Sequence, residues 1–311
     1  MDDTARIDDH DPRLPRWRAT VATDQVFSLA EGPLWDPARQ RVLWVDILAG
    51  TAYEGRLEAA DGTPGRVVPT TSHQLDAMVG AVVVSADGDL LAAGEHGLIV
   101  KTAGGDVLPG TDLLRAGSRQ RLNDGKVDPA GRFLVGSLDR DGAPDREILV
   151  RVEPDGLVTV LDDDLTLSNG LAWSPDGSLM YSIDSGPGNV WVRDYDATTG
   201  GTGERRLVTR VTDGDPDGMC TDSEGFLWVA VYGQGQVRRF TPDGELAGVI
   251  EVDAPHTTCI AFVGDSYDRA LITTATDGMS EAELARYPDA GRLFLVDVGV
   301  SGFPVTPWAG R

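Results

Sequence analysis

Positive charge is scarce in this chain. Its 311 residues include 27 Lys and Arg against 50 Asp and Glu, a formal net charge of −23. So acidic a surface repels phosphate backbones and anionic headgroups, so neither nucleic acid nor a membrane surface is an expected partner. Cysteine is scarce as well. Cys220 and Cys259 stand alone, with no Cys-x-x-Cys, and read as reduced core thiols rather than a disulfide. The four histidines, His10, His73, His96 and His256, lack ligand spacing of the His-Glu-x-x-His kind. Long apolar runs are missing, none approaching the roughly 18 residues of a membrane helix. Met1-Asp2-Asp3-Thr4 has neither the basic start nor the apolar stretch of a secretory leader. A soluble, cytoplasmic protein is expected. Gly-x-Ser-x-Gly and phosphate-cradling glycine loops are also absent, and neither cysteine lies in an activating motif.

Turn residues, by contrast, are plentiful and evenly spread, with 38 Gly and 18 Pro. They recur in a pattern. Asp36-Pro37-Ala38-Arg39, Ser85-Ala86-Asp87-Gly88, Asp128-Pro129-Ala130-Gly131, Ser174-Pro175-Asp176-Gly177 and Asp222-Ser223-Glu224-Gly225 each separate two short apolar segments. Val263-Gly264-Asp265-Ser266 is a weaker sixth copy. A period in the forties is that of a four-stranded propeller blade. Strands are expected at Arg41 to Val45, Leu90 to Ala93, Phe133 to Val135, Leu179 to Ile183, Leu227 to Val231 and Ala270 to Thr274. The predicted fold is all-β, a six-bladed β-propeller over residues 21–311, after a mobile tail at 1–20. A strand near Gln25 to Leu29 is expected to complete the last blade, and Ser280 to Tyr287 reads as a helical turn capped by Ser280.

Equivalent positions in six blades form a ring around the axis. Counting five residues back from each turn gives Glu31, Gly80, Asn123, Asn169, Asp217 and Thr258. Two carboxylates, two amides and a hydroxyl thus share one register. Asn169-Gly170 and Asp217-Gly218 taken alone are ordinary turn dipeptides. Here, however, Asp222 to Gly225 already supplies a turn, and the shared register needs another cause. Carboxylates crowded on an axis require a positive partner, and hard oxygen donors suit Ca²⁺, Mg²⁺ or Mn²⁺. Zinc is not signalled.

These segments resemble the family of SMP-30 (regucalcin), gluconolactonases and bacterial sugar lactonases. The resemblance rests on Glu31-Gly32-Pro33-Leu34-Trp35, on Arg121-Leu122-Asn123-Asp124-Gly125-Lys126, on Ser168-Asn169-Gly170-Leu171-Ala172-Trp173, and on Pro216-Asp217-Gly218-Met219-Cys220. Thr273 to Met279 is similar too, and the likeness runs from about residue 28 to about residue 297. It implies the propeller and one bound divalent ion, calcium first, with Zn²⁺, Mn²⁺, Mg²⁺ and Fe²⁺ as alternatives. The implied metal ligands are Glu31, Asn169 and Asp217. The implied substrate contacts are Arg121 and Asn123, with a further acidic contact near Asp141, where the animal proteins carry Glu. The loop from Asp139 to Pro144 is this chain's own.

The implied activity is metal-dependent hydrolysis of a sugar-acid lactone, with Asp217 as general base. A same-fold phosphotriesterase or aryl esterase and a non-catalytic calcium-binding propeller stay open as alternatives. Asp124 is expected to orient Asn123 or Arg121. Trp35, Trp173 and Trp228 are assigned to packing, and the role of Lys126 is open.

Overall fold

Five of the six repeated turns begin with Asp or Ser, and the structure shows why. The computed structural model describes residues 12–60, 63–142 and 146–310. In each of those turns the first side-chain oxygen accepts backbone N–H groups that the bend would leave orphaned. Ser85 Oγ takes the N–H of Gly88 and Asp89, Asp128 Oδ1 those of Ala130 and Arg132, and Asp222 Oδ1 those of Glu224 and Phe226. Asp36 and Ser174 do the same. The sixth turn, at Val263, has no such oxygen and bends with Gly264 and Tyr267 at positive φ.

The strands joined by these turns form six sheets, the blades of a propeller. First strands are Ala30–Asp36, Ala81–Val84, Gln120–Val127, Ser168–Trp173, Asp215–Thr221 and Thr257–Val263. Each pairs antiparallel with the strand beyond the turn: Arg41–Asp46, Leu90–Ala93, Phe133–Asp139, Leu179–Asp184, Leu227–Tyr232 and Arg269–Thr274. All six expected strands lie within or across these. First strands of neighbouring blades pack side by side around the axis. Both faces of the inner strands are therefore covered, and Ser168–Trp173 is buried at every residue.

The core lies between blades. Trp35, Trp173 and Trp228 are 4%, 6% and 0% exposed within it, in apolar clusters. Trp228 donates its indole N–H to Asp222 Oδ2 at 2.9 Å, tying the fifth turn to its own blade.

Closure of the ring differs from expectation. Thr20–Val21, not Gln25 to Leu29, supplies the outer strand of the last blade, pairing with Phe294–Val296. Leu29 makes only an isolated bridge to Ala275. Ser28 and Leu29 cannot extend the sheet because their N–H groups are spent on Asp46, at 2.8 and 3.1 Å. The expected tail at 1–20 is likewise shortened. Arg16–Arg18 lies parallel to the fifth blade's outer strand, with Trp17 against Trp228 at 5.5 Å. Residues 1–11 lie outside the described residues. The helical turn appears as Glu281–Arg286, with Ser280 and Glu283 forming a reciprocal capping box.

Candidate active site

Five of the six first strands are bulged where the ring residues sit. Pairing register shifts between Glu31 and Leu34, Leu122 and Gly125, Asn169 and Leu171, Pro216 and Met219, and Thr257 and Cys259. An extra residue re-aims a side chain out of the pleat. Here it points side chains at the axis. The glycine after two ring residues has a second task. A Cβ on Gly170 would stand 2.6 Å from the Asp217 carbonyl oxygen, and one on Gly218 2.3 Å from Cys259 Sγ. Asn-Gly and Asp-Gly are here signs of close blade approach rather than turns.

At the mouth of the axis lies a cavity of ≈ 340 Å³ lined by Glu31, Arg121, Asn123, Asn169 and Asp217. The entries to two of these first strands are held by a carboxylate at the end of the neighbouring strand. Asp46 caps Ser28 and Leu29 ahead of Glu31, and Asp184 caps Thr166 and Leu167 ahead of Asn169. A hydrogen-bond chain then crosses three blades. Arg121 Nη1 donates to Asn123 Oδ1 at 2.7 Å, and Asn123 Nδ2 to Asn169 Oδ1 at 3.1 Å. Asn169 Nδ2 donates to Ser185 Oγ at 3.1 Å, whose hydroxyl donates to the Pro216 carbonyl at 2.7 Å. Ser185 thereby fixes which way the Asn169 amide faces, a task invisible from its own sequence context.

Electrostatic crowding marks this cavity. Burial, then the charge of Asp124, pushes Glu31 up to about 8. Burial and the charge of Glu31 raise Asp217 well above the usual carboxylate range, while Asn169 and Arg121 pull the other way. Burial brings Arg121 down to about 10 against the pull of Glu31 and Asp217. Among the described residues no three His, Cys, Asp or Glu side chains converge on one point. A cation here would thus rest on two carboxylates and the Asn169 amide oxygen, an all-oxygen set that suits a hard divalent ion. The donor set fits such an ion, and the repulsion between Glu31 and Asp217 is what one would relieve.

Other expected residues fall elsewhere. Asp141 does not line the cavity. Its carboxylate is 48% exposed and paired with Arg119, and its N–H donates to Asp139 Oδ1 at 2.7 Å. Asp124 does not orient Asn123 or Arg121. Its Oδ2 is buried without a partner, and burial raises its pKa. Lys126 bonds to no ring carboxylate; it reaches across to the Met219 carbonyl at 2.7 Å. Thr258 is spent on the seam between last and first blades, donating to the Ala30 carbonyl at 2.6 Å. Asp215, Tyr232 and Asp277 line the cavity without having been singled out. For Asp277 the late Thr273 to Met279 segment was the available signal.

Comparison with known proteins bears on the family and the fold. Residues 29–276 match the family model described as the SMP-30/gluconolactonase/LRE-like region. The chain is 35% identical to a regucalcin of Gallus gallus over 302 residues, 93% of this chain and 97% of the relative. A crystal structure of a calcium-binding protein, regucalcin, from Agrobacterium tumefaciens superposes with a TM-score of 0.86 at 28% identity, covering 94% of this chain and 98% of that one. A gluconolactonase from Xanthomonas campestris superposes with a TM-score of 0.68 at 25% identity, covering 90% and 89%.

Proposed function

The chain belongs to the SMP-30/gluconolactonase/LRE-like family, and from that premise we propose that it hydrolyses a sugar-acid lactone to the aldonic acid with the help of one divalent ion. The supporting observation is that three separate blades deliver Glu31, Asn169 and Asp217 to the cavity that also holds Arg121 and Asn123. Glu31, Asn169 and Asp217 would hold the ion, calcium being the first choice for oxygen donors. When bound, it supplies Lewis-acid polarisation of the lactone carbonyl.

The remaining chemistry belongs to side chains. Asp217 accepts a proton from the attacking water as its oxygen bonds to the carbonyl carbon. The ring carbon–oxygen bond then breaks, and that proton passes to the departing alkoxide. Arg121 uses Nη1 on the Leu122 carbonyl and Asn123, leaving Nε and Nη2 without a protein partner among the described residues. These nitrogens bind the substrate, and Asn123 holds the guanidinium in place. Cys220 and Cys259 are unpaired, in keeping with a cytoplasmic setting. Among the described residues no helix is long and apolar enough to cross a membrane.

The test is a panel of sugar lactones beside a phosphotriester and an aryl ester, followed with a pH indicator, with and without chelator. Chelator-sensitive lactone turnover is expected to lead the panel. Lactone rates equal to buffer would end the proposal, and faster phosphotriester turnover would move it to the rival reaction.

A further inference from the structure

Asp277 occupies the rim of the cavity, in the segment that follows Arg269–Thr274. Its backbone is fixed from two sides. The N–H groups of Thr276 and Asp277 donate to the Ser28 carbonyl at 3.0 and 2.9 Å. The Asp277 carbonyl accepts from Tyr232 Oη at 3.1 Å and from His256 Nδ1 at 2.9 Å. The Tyr232 and His256 rings stack on each other at 4.1 Å, so this clamp is itself rigid. Burial, with Asp277, Asp217 and Asp215 close by, raises the Tyr232 pKa and keeps its phenol a donor.

None of these bonds uses the Asp277 carboxylate. Among the described residues it makes no hydrogen bond or ion pair, yet its charge acts on Arg121 across the cavity. A side chain held on a fixed backbone at a cavity mouth, with its own acceptors free, is a preorganised binding group. A carboxylate accepts two O–H donors at once, the arrangement offered by neighbouring hydroxyls on a sugar ring. Asp141, where the acidic contact was expected, is absent from the cavity lining and paired with Arg119, whereas Asp277 is part of that lining.

We propose that Asp277, presented by the Tyr232–His256 clamp, accepts hydrogen bonds from ring hydroxyls of the substrate and selects polyhydroxylated over plain lactones. This rests on the lactonase reading. The experiment compares glucono-δ-lactone with δ-valerolactone, which has no hydroxyls, in the wild type and in Asp277→Ala, Asp277→Asn and Asp141→Ala. Asp277→Ala is expected to lower the ratio of kcat/KM for the two lactones about 10–100-fold, the worth of charged hydrogen bonds. The loss should fall on KM for gluconolactone, with kcat changed less than about threefold. An unchanged ratio, an equal loss on both lactones, or a collapse in Asp141→Ala instead would overturn the assignment. If the wild type hydrolyses neither lactone, the lactonase reading fails by itself. Calorimetric binding of an unhydrolysable cyclic polyol then decides the Asp277 inference. Binding that weakens at least about tenfold in Asp277→Ala supports it, and equal or absent binding overturns it.

Discussion

Glu31 and Asp217 are each buried below 10% exposure, at 6% and 9%; burial raises both pKa values, Asp124 adds to the rise at Glu31, and Glu31 and Asp124 add to the rise at Asp217. Such a pair is tolerated where a cation or a proton separates the charges. Asp217 carries two tasks in the proposed reaction, ligand and base. Asp217→Asn keeps the shape and an oxygen donor but removes the proton acceptor. Its kcat is expected to fall about 10²–10⁴-fold, the usual worth of a general base, with an unchanged circular dichroism spectrum. At this scale the register of the sequence was informative wherever a polar side chain faces the axis: Glu31, Asn123, Asn169 and Asp217 all line one cavity. It misdirected where local bonding claims the side chain first. Thr258 is taken by Ala30 and Thr273, and Asp141 by Arg119. Asp277 escaped the count because it lies in a loop, off any strand register.

Bulges and glycines decide the geometry of the elements that carry these residues. Asn169 sits in a bulge, and Gly170 beside it lets the fourth and fifth first strands approach. Because the obstructing atom is a backbone carbonyl at 2.6 Å, Gly170→Ala must push strands apart. The expected cost is about 1–3 kcal/mol, read as a lower urea midpoint. It should be accompanied by weaker cation binding, since Asp217 is on the displaced strand. Strand positions were legible because each repeated turn carries its own cap. Bulges were not, since one extra residue leaves no mark on a short apolar run. Thr20–Val21 and Arg16–Arg18 were missed for a related reason, two or three residues being too few to show a period.

In the whole molecule, ring closure and the central charge are linked. The ring of six first strands is closed in the last blade, where Thr20–Val21 pairs with the C-terminal Phe294–Val296. Within that ring the carboxylates are buried. Glu31 has a folded-state pKa of about 8 against an ordinary value of 4.5, and Asp217 shifts in the same direction. The folded protein therefore holds protons that the unfolded chain has released. The associated stability is fully present below pH 4.5 and is lost as pH rises through about 8. Thermal melts in chelator should fall across this window. In excess calcium the fall should be smaller, because the ion replaces the protons, contributing about 2.7 kcal/mol at a hundredfold excess over Kd. Parallel curves with and without calcium would contradict this coupling.

Calorimetric titration of the chelator-stripped protein with calcium reaches the central claim most directly. One ion per chain is expected in the wild type, with affinity lowered at least about tenfold in each of Glu31→Gln, Asn169→Ala and Asp217→Asn. Undiminished binding in all three variants, or no binding of any divalent ion by the wild type, would contradict it.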